Sequence, residues 1–347
     1  MEKGRLIARV LAGSWRPSPD PLAISQAELD LVTPLLLMSG AGALAWKRVQ
    51  NSNLRTAPAA QELERAYRLH ALQSAVHERN IPDALTLLRS AGVDPILVKG
   101  WAIARLYPDT GLRPYGDLDL CVEPKQYQAA RSALENQPNK PYQFDLHRAF
   151  KTLDHKSWEE LYSRSSLLKL KDVEVRVLCP EDQLRVLCFH FLREGAWRPL
   201  WLCDIAVTLE TRSANFDWDL FVDKNERRQK WFACAIALAN LLLSASIEGI
   251  PESLRAKQPP TWLLPSVLRE WEVRSMSHRH AAPMGAALRA PGKTLRLRSL
   301  TAHWPNPIEA TIGVSGPFNE IPRLPFQIGN SAVRTIKFIR KLLRSSR

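Results

Sequence analysis

Residues 113–123 read RPYGDLDLCVE, and the fold turns on this stretch. Its first residues suit a turn. Then Asp117 and Asp119 alternate with Leu118 and Leu120 and run into Cys121 and Val122, a pattern that predicts a strand over 118–122. Residues i and i+2 of a strand share a face, so both carboxylates point to one place and the apolar residues to the other. An unpaired carboxylate is costly to bury, so something positive belongs beside them. Two same-face carboxylates suit a hard divalent cation held through oxygen. The other reading, a solvated edge strand with alternating acids, leaves Cys121 on the acidic face.

Working outward, Pro95 to Val98 reads as a short buried strand, followed by Lys99-Gly100 and a helix from about Trp101 to Tyr107. A glycine at such a turn lets backbone N–H groups approach an anion such as phosphate; strand-to-helix turns also use glycine for geometry alone. Pro108 to Gly116 is rich in turn formers. Downstream, Pro124 opens a helix through Tyr127, Ala130 and Leu134. Tyr142 to His147 alternates like a third strand, and Leu168 to Val177 like a fourth. Asp145 and His147 share a face, where Asp145 either completes a carboxylate trio around two metal ions or is a salt-bridged surface residue.

Around this core the period is helical: 25–48, 61–90 with a second piece starting near Pro82, 181–192, 200–209, 218–222 and 231–243. After Pro251 frequent prolines break the pattern until Ala332 to Arg344. The expected organisation is an N-terminal helical region (1–92), an α/β core (93–178), a helical region packed on it (179–250) and a Pro-rich basic region (251–347). Neither G-x-G-x-x-G nor G-x-x-x-x-G-K-[ST] occurs, so a dinucleotide fold and a P-loop are unsupported.

With 45% hydrophobic and 24% charged residues, the chain has the balance of a globular protein with a real core. Its five cysteines show no C-x-x-C spacing and four lie in apolar runs, which argues against zinc or disulfides and for a reducing compartment. The N-terminus lacks a convincing signal peptide, and the longest nearly uncharged stretch, Leu31 to Trp46, is too short for the ~20 residues of a membrane span. The expectation is a cytoplasmic protein, or one peripheral to a membrane. The net charge of +13 is concentrated: residues 273–347 hold thirteen Lys or Arg and only two acids, Glu309 and Glu320. Within AVRTIKFIRKLLR (332–344), Val333, Ile336, Ile339 and Leu343 share one helical face and Arg334, Lys337, Lys341 and Arg344 fall around the other. Such a helix can contact anionic lipid or nucleic acid, or it packs on the protein with a solvated basic face.

The stretch ILVKGWAIARLYPDTGLRPYGDLDLCV (96–122) resembles the signature of the bacterial "uncharacterised nucleotidyltransferase" family, within the polymerase-beta-like nucleotidyltransferase superfamily. The resemblance continues through Asp145-Leu146-His147, VLCPEDQLRVLCFH (177–190) and LWLCDIAVTL (200–209), covering roughly 60–245. It implies an α+β fold with a small mixed β-sheet and flanking helices. It also implies Mg²⁺-dependent transfer of a nucleoside monophosphate from an NTP by a two-metal mechanism. Carried over, Asp117 and Asp119 ligate the metals, Asp145 is the third carboxylate and helps deprotonate the acceptor, and Gly100 lets the turn hold the phosphates. Many superfamily members have a second Gly or a Ser after that glycine. Here Trp101 stands there, so phosphate contacts fall to backbone N–H groups, Lys99 or Arg113. Lys99 has the alternative of a snorkelling surface lysine, and Arg113 that of a pair with Asp109 or the acidic strand.

His190 reads as a hydrogen-bonded core residue and Asp204 as a partner for Arg198 or Arg193; the eleven tryptophans form no stacking array. Two other functions compete: a metal-dependent glycosyltransferase using a nucleotide-sugar, and a non-catalytic RNA- or membrane-binding protein that keeps the fold. The Lys-Gly turn and the third acid argue against the first, and three intact acids against the second. Nothing in the sequence names the acceptor.

Overall fold

The computed structural model describes residues 1–136, 143–149, 153, 156–222, 224–255, 258–273 and 304–345. Among them are fourteen α-helices and five strands in one mixed sheet, an α+β fold with helices at both ends.

The first helix, α1 (Glu2–Leu11), buries Leu6, Ile7, Val10 and Leu11, the stripe that a 3.6-residue period places on one side. The stretch expected to be helical over 25–48 divides into α2 (Gln26–Met38) and α3 (Gly42–Val49). A capping box opens α2: Ser25 Oγ accepts from the Glu28 N–H at 3.2 Å, and Glu28 accepts from the Ser25 N–H at 2.7 Å. Gly40, at φ +75°, turns the chain between them. Helix α4 (Pro58–Ser90) starts on a proline and runs unbroken through Pro82, where a new piece was expected. Its N-terminal Leu63 lies in the helical core, while Ile81, Ala84, Leu85 and Leu88 pack on the sheet. Spanning about 50 Å, α4 is the beam joining the two halves. Apolar anchoring on both sides of Pro82 outweighs the single backbone bond lost there.

The sheet places its strands in the order β3 (Phe144–Arg148), β2 (Leu118–Val122), β1 (Ile96–Leu97), β5 (Val173–Val177) and β4 (Ser166–Leu170). Strand β1 pairs antiparallel with β2 and parallel with β5. Strand β3 runs parallel to β2. Helix α5 (Gly100–Ala104) follows β1, and α6 (Tyr127–Glu135) lies between β2 and β3, as a parallel pair requires a crossover. The fourth strand expected over 168–177 is instead a hairpin of β4 and β5, turning at Lys171 with φ +54°. Apolar alternation runs up to and away from Lys171-Asp172, so the turn shows in the sequence only as a slip of one residue, from Leu168 and Leu170 to Val173, Val175 and Val177. Tyr142, expected to begin the third strand, lies outside the described residues.

Leu118, Leu120 and Val122 face α4 and α6, whereas Ile96, Val98 and Cys121 pack with Leu161 of α7 (Trp158–Arg164) and Val186 of α8 (Pro180–Arg193). Beyond α8 come α9 (Pro199–Thr211), α10 (Trp218–Phe221), α11 (Glu226–Leu243) and α12 (Leu263–Trp271). The last two are α13 (Pro307–Gly313) and α14 (Leu324–Ser345). Helices from before and after the sheet share one core, from Leu6 to Phe318. Tryptophans tie it with indole donors: Trp271 to the Ala196 carbonyl, Trp231 to Gly316 and Trp262 to Asn319. Of the basic excess, Arg274, Arg279, Arg289, Lys293, Arg296, Arg298 and Arg347 lie outside the described residues. No described helix is long and apolar enough to cross a membrane.

Candidate active site

Strand β2 is buried along its whole length, so Asp119 and Cys121 project onto the sheet face covered by α8. The parallel register sets Asp119 beside Asp145 and Cys121 beside His147. One ligand atom from each of Asp119, Asp145 and His147 lies within 4.8 Å of the others. His147 Nε2 is 3.2 Å from both Asp119 Oδ1 and Asp145 Oδ2. Lys99 Nζ donates to Asp119 Oδ1 at 2.7 Å. Burial works against the charge of Asp119, but His147 and Lys99 outweigh it and hold the carboxyl below its usual range. Two carboxylates and an imidazole fit a divalent cation: hard oxygens with one borderline nitrogen.

Asp117 is not in this trio, although it was expected to share the metal with Asp119. Asp117 immediately precedes the strand, which begins at Leu118, and the third member of the cluster is His147. Asp117 remains within electrostatic reach. Burial, then the charges of Asp119 and Asp145, push its pKa up against the pull of Lys99. Before it, the Lys99-Gly100 turn is unusual. Lys99 adopts φ +48° and Gly100 φ +42°. A Cβ on Gly100 would stand 3.3 Å from Tyr115 Cδ2, so the position is glycine for space as well as for torsion. A non-glycine residue at the Lys99 torsions (ψ −148°) stores about 1–3 kcal/mol of strain, and it is this residue that aims its ammonium at Asp119.

Beside the acids opens a cleft of ≈ 340 Å³. Lys99, Arg148 and Arg193 line it together with His147, His190 and Tyr127, so three cations stand beside the acids. The Arg148 guanidinium stacks 4.0 Å over the Tyr127 ring. His190, read from sequence as a core histidine, lines this cleft with its ring 4.4 Å from Trp201, edge-on. Burial, reinforced by Lys99 and Arg193, drives its pKa down to about 3, so it is neutral. Arg148 and Arg193 carry no motif; their sequence signal is a position at the end of the acid-bearing strand or one turn beyond His190. A second, more open cleft of ≈ 570 Å³ begins where β2 and β3 begin. Its walls include Leu72, Val76 and His77 of α4, with Tyr115, Gly116 and Gln143, and His77 stacks on Tyr115 at 4.6 Å.

Arg113, expected at the phosphates, is engaged elsewhere. Its Nη2 lies 2.8 Å from Asp204 Oδ2 and its Nε 3.2 Å from Oδ1, while the Tyr107 hydroxyl donates to Oδ1 at 2.9 Å. Asp204 is fully buried and Arg113 nearly so. Burial would discharge the guanidinium, but the Asp204 carboxylate holds it charged. Asp204 was expected with Arg198 or Arg193; Arg198 instead donates to the Ser39 carbonyl at 2.7 Å, and Asp109 accepts from the Tyr67 hydroxyl and the Gly111 N–H. Arg113 is thus the pin that fixes the turn before β2 to α9. A second buried ionic cluster had no sequence signal. Asp182 accepts from Lys156 at 2.9 Å and Arg164 at 2.8 Å, locking the start of α8 to α7.

The model of a family described as "Uncharacterised nucleotidyltransferase" matches residues 25–244, a span that includes the acid trio and both clefts. No curated protein and no solved structure matches the chain.

Proposed function

Because the chain belongs to the uncharacterised nucleotidyltransferase family, we propose that it moves a nucleoside monophosphate from an NTP to a hydroxyl or phosphate acceptor and releases pyrophosphate. One observation carries this reading. An acid-and-imidazole trio on two adjoining strands borders a cleft walled by Lys99, Arg148 and Arg193, the pairing that a metal-bound triphosphate needs.

In this proposal Asp119, Asp145 and His147 hold a divalent cation, with Asp117 facing a second one. Two Mg²⁺ ions, when bound, would supply charge neutralisation at the attacking and leaving oxygens. Lys99, Arg148 and Arg193 bind and orient the β- and γ-phosphates, and the Gly100 turn offers backbone N–H groups beside them. The acceptor enters from the open cleft along α4, where Leu72 and Val76 are exposed. Asp145, at 55% exposure the more open of the trio's two carboxylates, takes the proton of a hydroxyl acceptor and passes it to water, whereas a phosphate acceptor attacks through an oxygen already ionised. The acceptor oxygen then bonds to the α-phosphorus as the bond to pyrophosphate breaks. Helix α14 has a separate role, contact with an anionic surface.

The test is incubation of the purified protein with Mg²⁺ or Mn²⁺ and each α-labelled NTP, with candidate acceptors, reading labelled product and pyrophosphate. Asp119→Asn is expected to lower the rate at least about a hundredfold. An Asp119→Asn protein as active as the parent would sink the metal assignment, and sugar transfer from a nucleotide-sugar in the same screen would replace the reaction.

A further inference from the structure

Helix α14 rests on the protein through one part of its length. Asn330 is buried against Gly313, Gln327 donates to the Pro305 carbonyl at 2.8 Å, and Arg334 pairs with Glu309 at 3.1 Å. Its neighbour α13 is seven residues long and α14 twenty-two, about 10 Å against about 33 Å. A surface helix ordinarily turns its apolar stripe inward. Here Leu324, Ile328, Ile336, Ile339 and Leu343 are each 48–65% exposed, and at 100° per residue they fall within an arc of about 120°. The helix thus packs on the protein over part of its length with exposed cations, and an apolar arc also looks outward. Lys337 and Arg340 are exposed and have no acidic partner among the described residues. No Asp or Glu occurs in 324–345.

We propose that the outward face of α14 docks on an anionic membrane surface, lying in the plane of the headgroups. An anionic bilayer satisfies both halves of the helix, taking the apolar arc into the acyl boundary and the cations at the lipid charge. The helix is about 10–12 Å across, so even cations on its far side stay within about one Debye length of the headgroups. A second copy of the chain would set basic helices side by side with no acid to answer them. A nucleic acid would engage the cations and leave five Leu and Ile side chains in water. The apolar arc with uncompensated cations favours the lipid, and this inference does not depend on the nucleotidyltransferase reading.

Flotation of the full-length protein with vesicles of phosphatidylcholine alone, or mixed with phosphatidylglycerol, tests it. The expected result is binding to the anionic vesicles, weaker at high salt and about tenfold or more weaker on phosphatidylcholine alone. Ile339→Asp and, separately, Lys337→Glu with Arg340→Glu should each release the protein about tenfold or more, with thermal unfolding unchanged because these side chains are exposed. Absence of binding to anionic vesicles overturns the proposal. So does vesicle binding that both variants retain. So does an Ile339→Asp effect seen only as loss of a dimer in sedimentation, or binding confined to RNA.

Discussion

Asp117 and Asp119 are two residues apart, yet their surroundings push their pKa values in opposite directions. Asp119 is held below the usual carboxylate range by His147 and Lys99, against its burial. Its contribution to stability is therefore present above the unfolded pKa and lost as pH falls through the lower, folded value. Asp117 is pushed up by burial and by its acidic neighbours, so its ionisation above the unfolded value works against the fold. Asp117→Asn is accordingly expected to raise the Tm of the metal-free protein at neutral pH by about a degree, solvent screening keeping the gain small, while lowering nucleotidyl transfer. Differential scanning calorimetry beside the transfer assay checks both, and an unchanged or lower Tm would refute the electrostatic account. Asp119→Asn should show the reverse in acid: a shallower fall of stability with pH. The alternation of 117–122 was enough to place Asp119 and its apolar neighbours. It could not separate the two acids, because the difference lies in Lys99, which comes from the turn after β1, and in His147, which comes from β3.

At the scale of elements, the turn before β2 is held by two contacts that act as one clamp. Gly111 sits so close to α4 that a Cβ there would lie 2.7 Å from the Ala71 Cα, and a helix backbone cannot yield. Gly111→Ala should destabilise by about 1–3 kcal/mol, read as a lower urea midpoint. Arg113 and Asp204 form the other contact. Asp204→Ala leaves a buried guanidinium unpaired and should cost about 3–5 kcal/mol. If Arg113 instead touched phosphate, Asp204→Ala would chiefly raise KM with stability intact, so kinetics and unfolding together decide. This clamp was half legible. The Leu-Arg-Pro turn stood out in the sequence, but a salt bridge between residues 91 apart leaves no periodic trace. The hairpin of β4 and β5 left only a faint trace, because Lys171-Asp172 slips the alternation by a single residue, from Leu168 and Leu170 to Val173, Val175 and Val177.

For the whole molecule, a cation that binds only the folded chain must stabilise it, by about 2.7 kcal/mol at a hundred times its Kd. Mn²⁺ or Mg²⁺ is therefore expected to raise the Tm of the parent in a concentration-dependent way and to leave Asp119→Asn unmoved; equal shifts in both would place the ion elsewhere. Composition located the basic excess in the last fifth of the chain, and periodicity gave the helix. Neither could say which side of that helix faces out, since this depends on α13 and on the turns around residues 305 and 319 that the prolines conceal. Lys99 has one more consequence. Its ammonium already holds the Asp119 oxygen that a cation would take, so loading the site is an ion exchange and not an addition. One substitution should then pull two constants apart. In Lys99→Met the free protein binds Mn²⁺ more tightly, while the KM for the nucleotide rises because the displaced lysine no longer meets the phosphates.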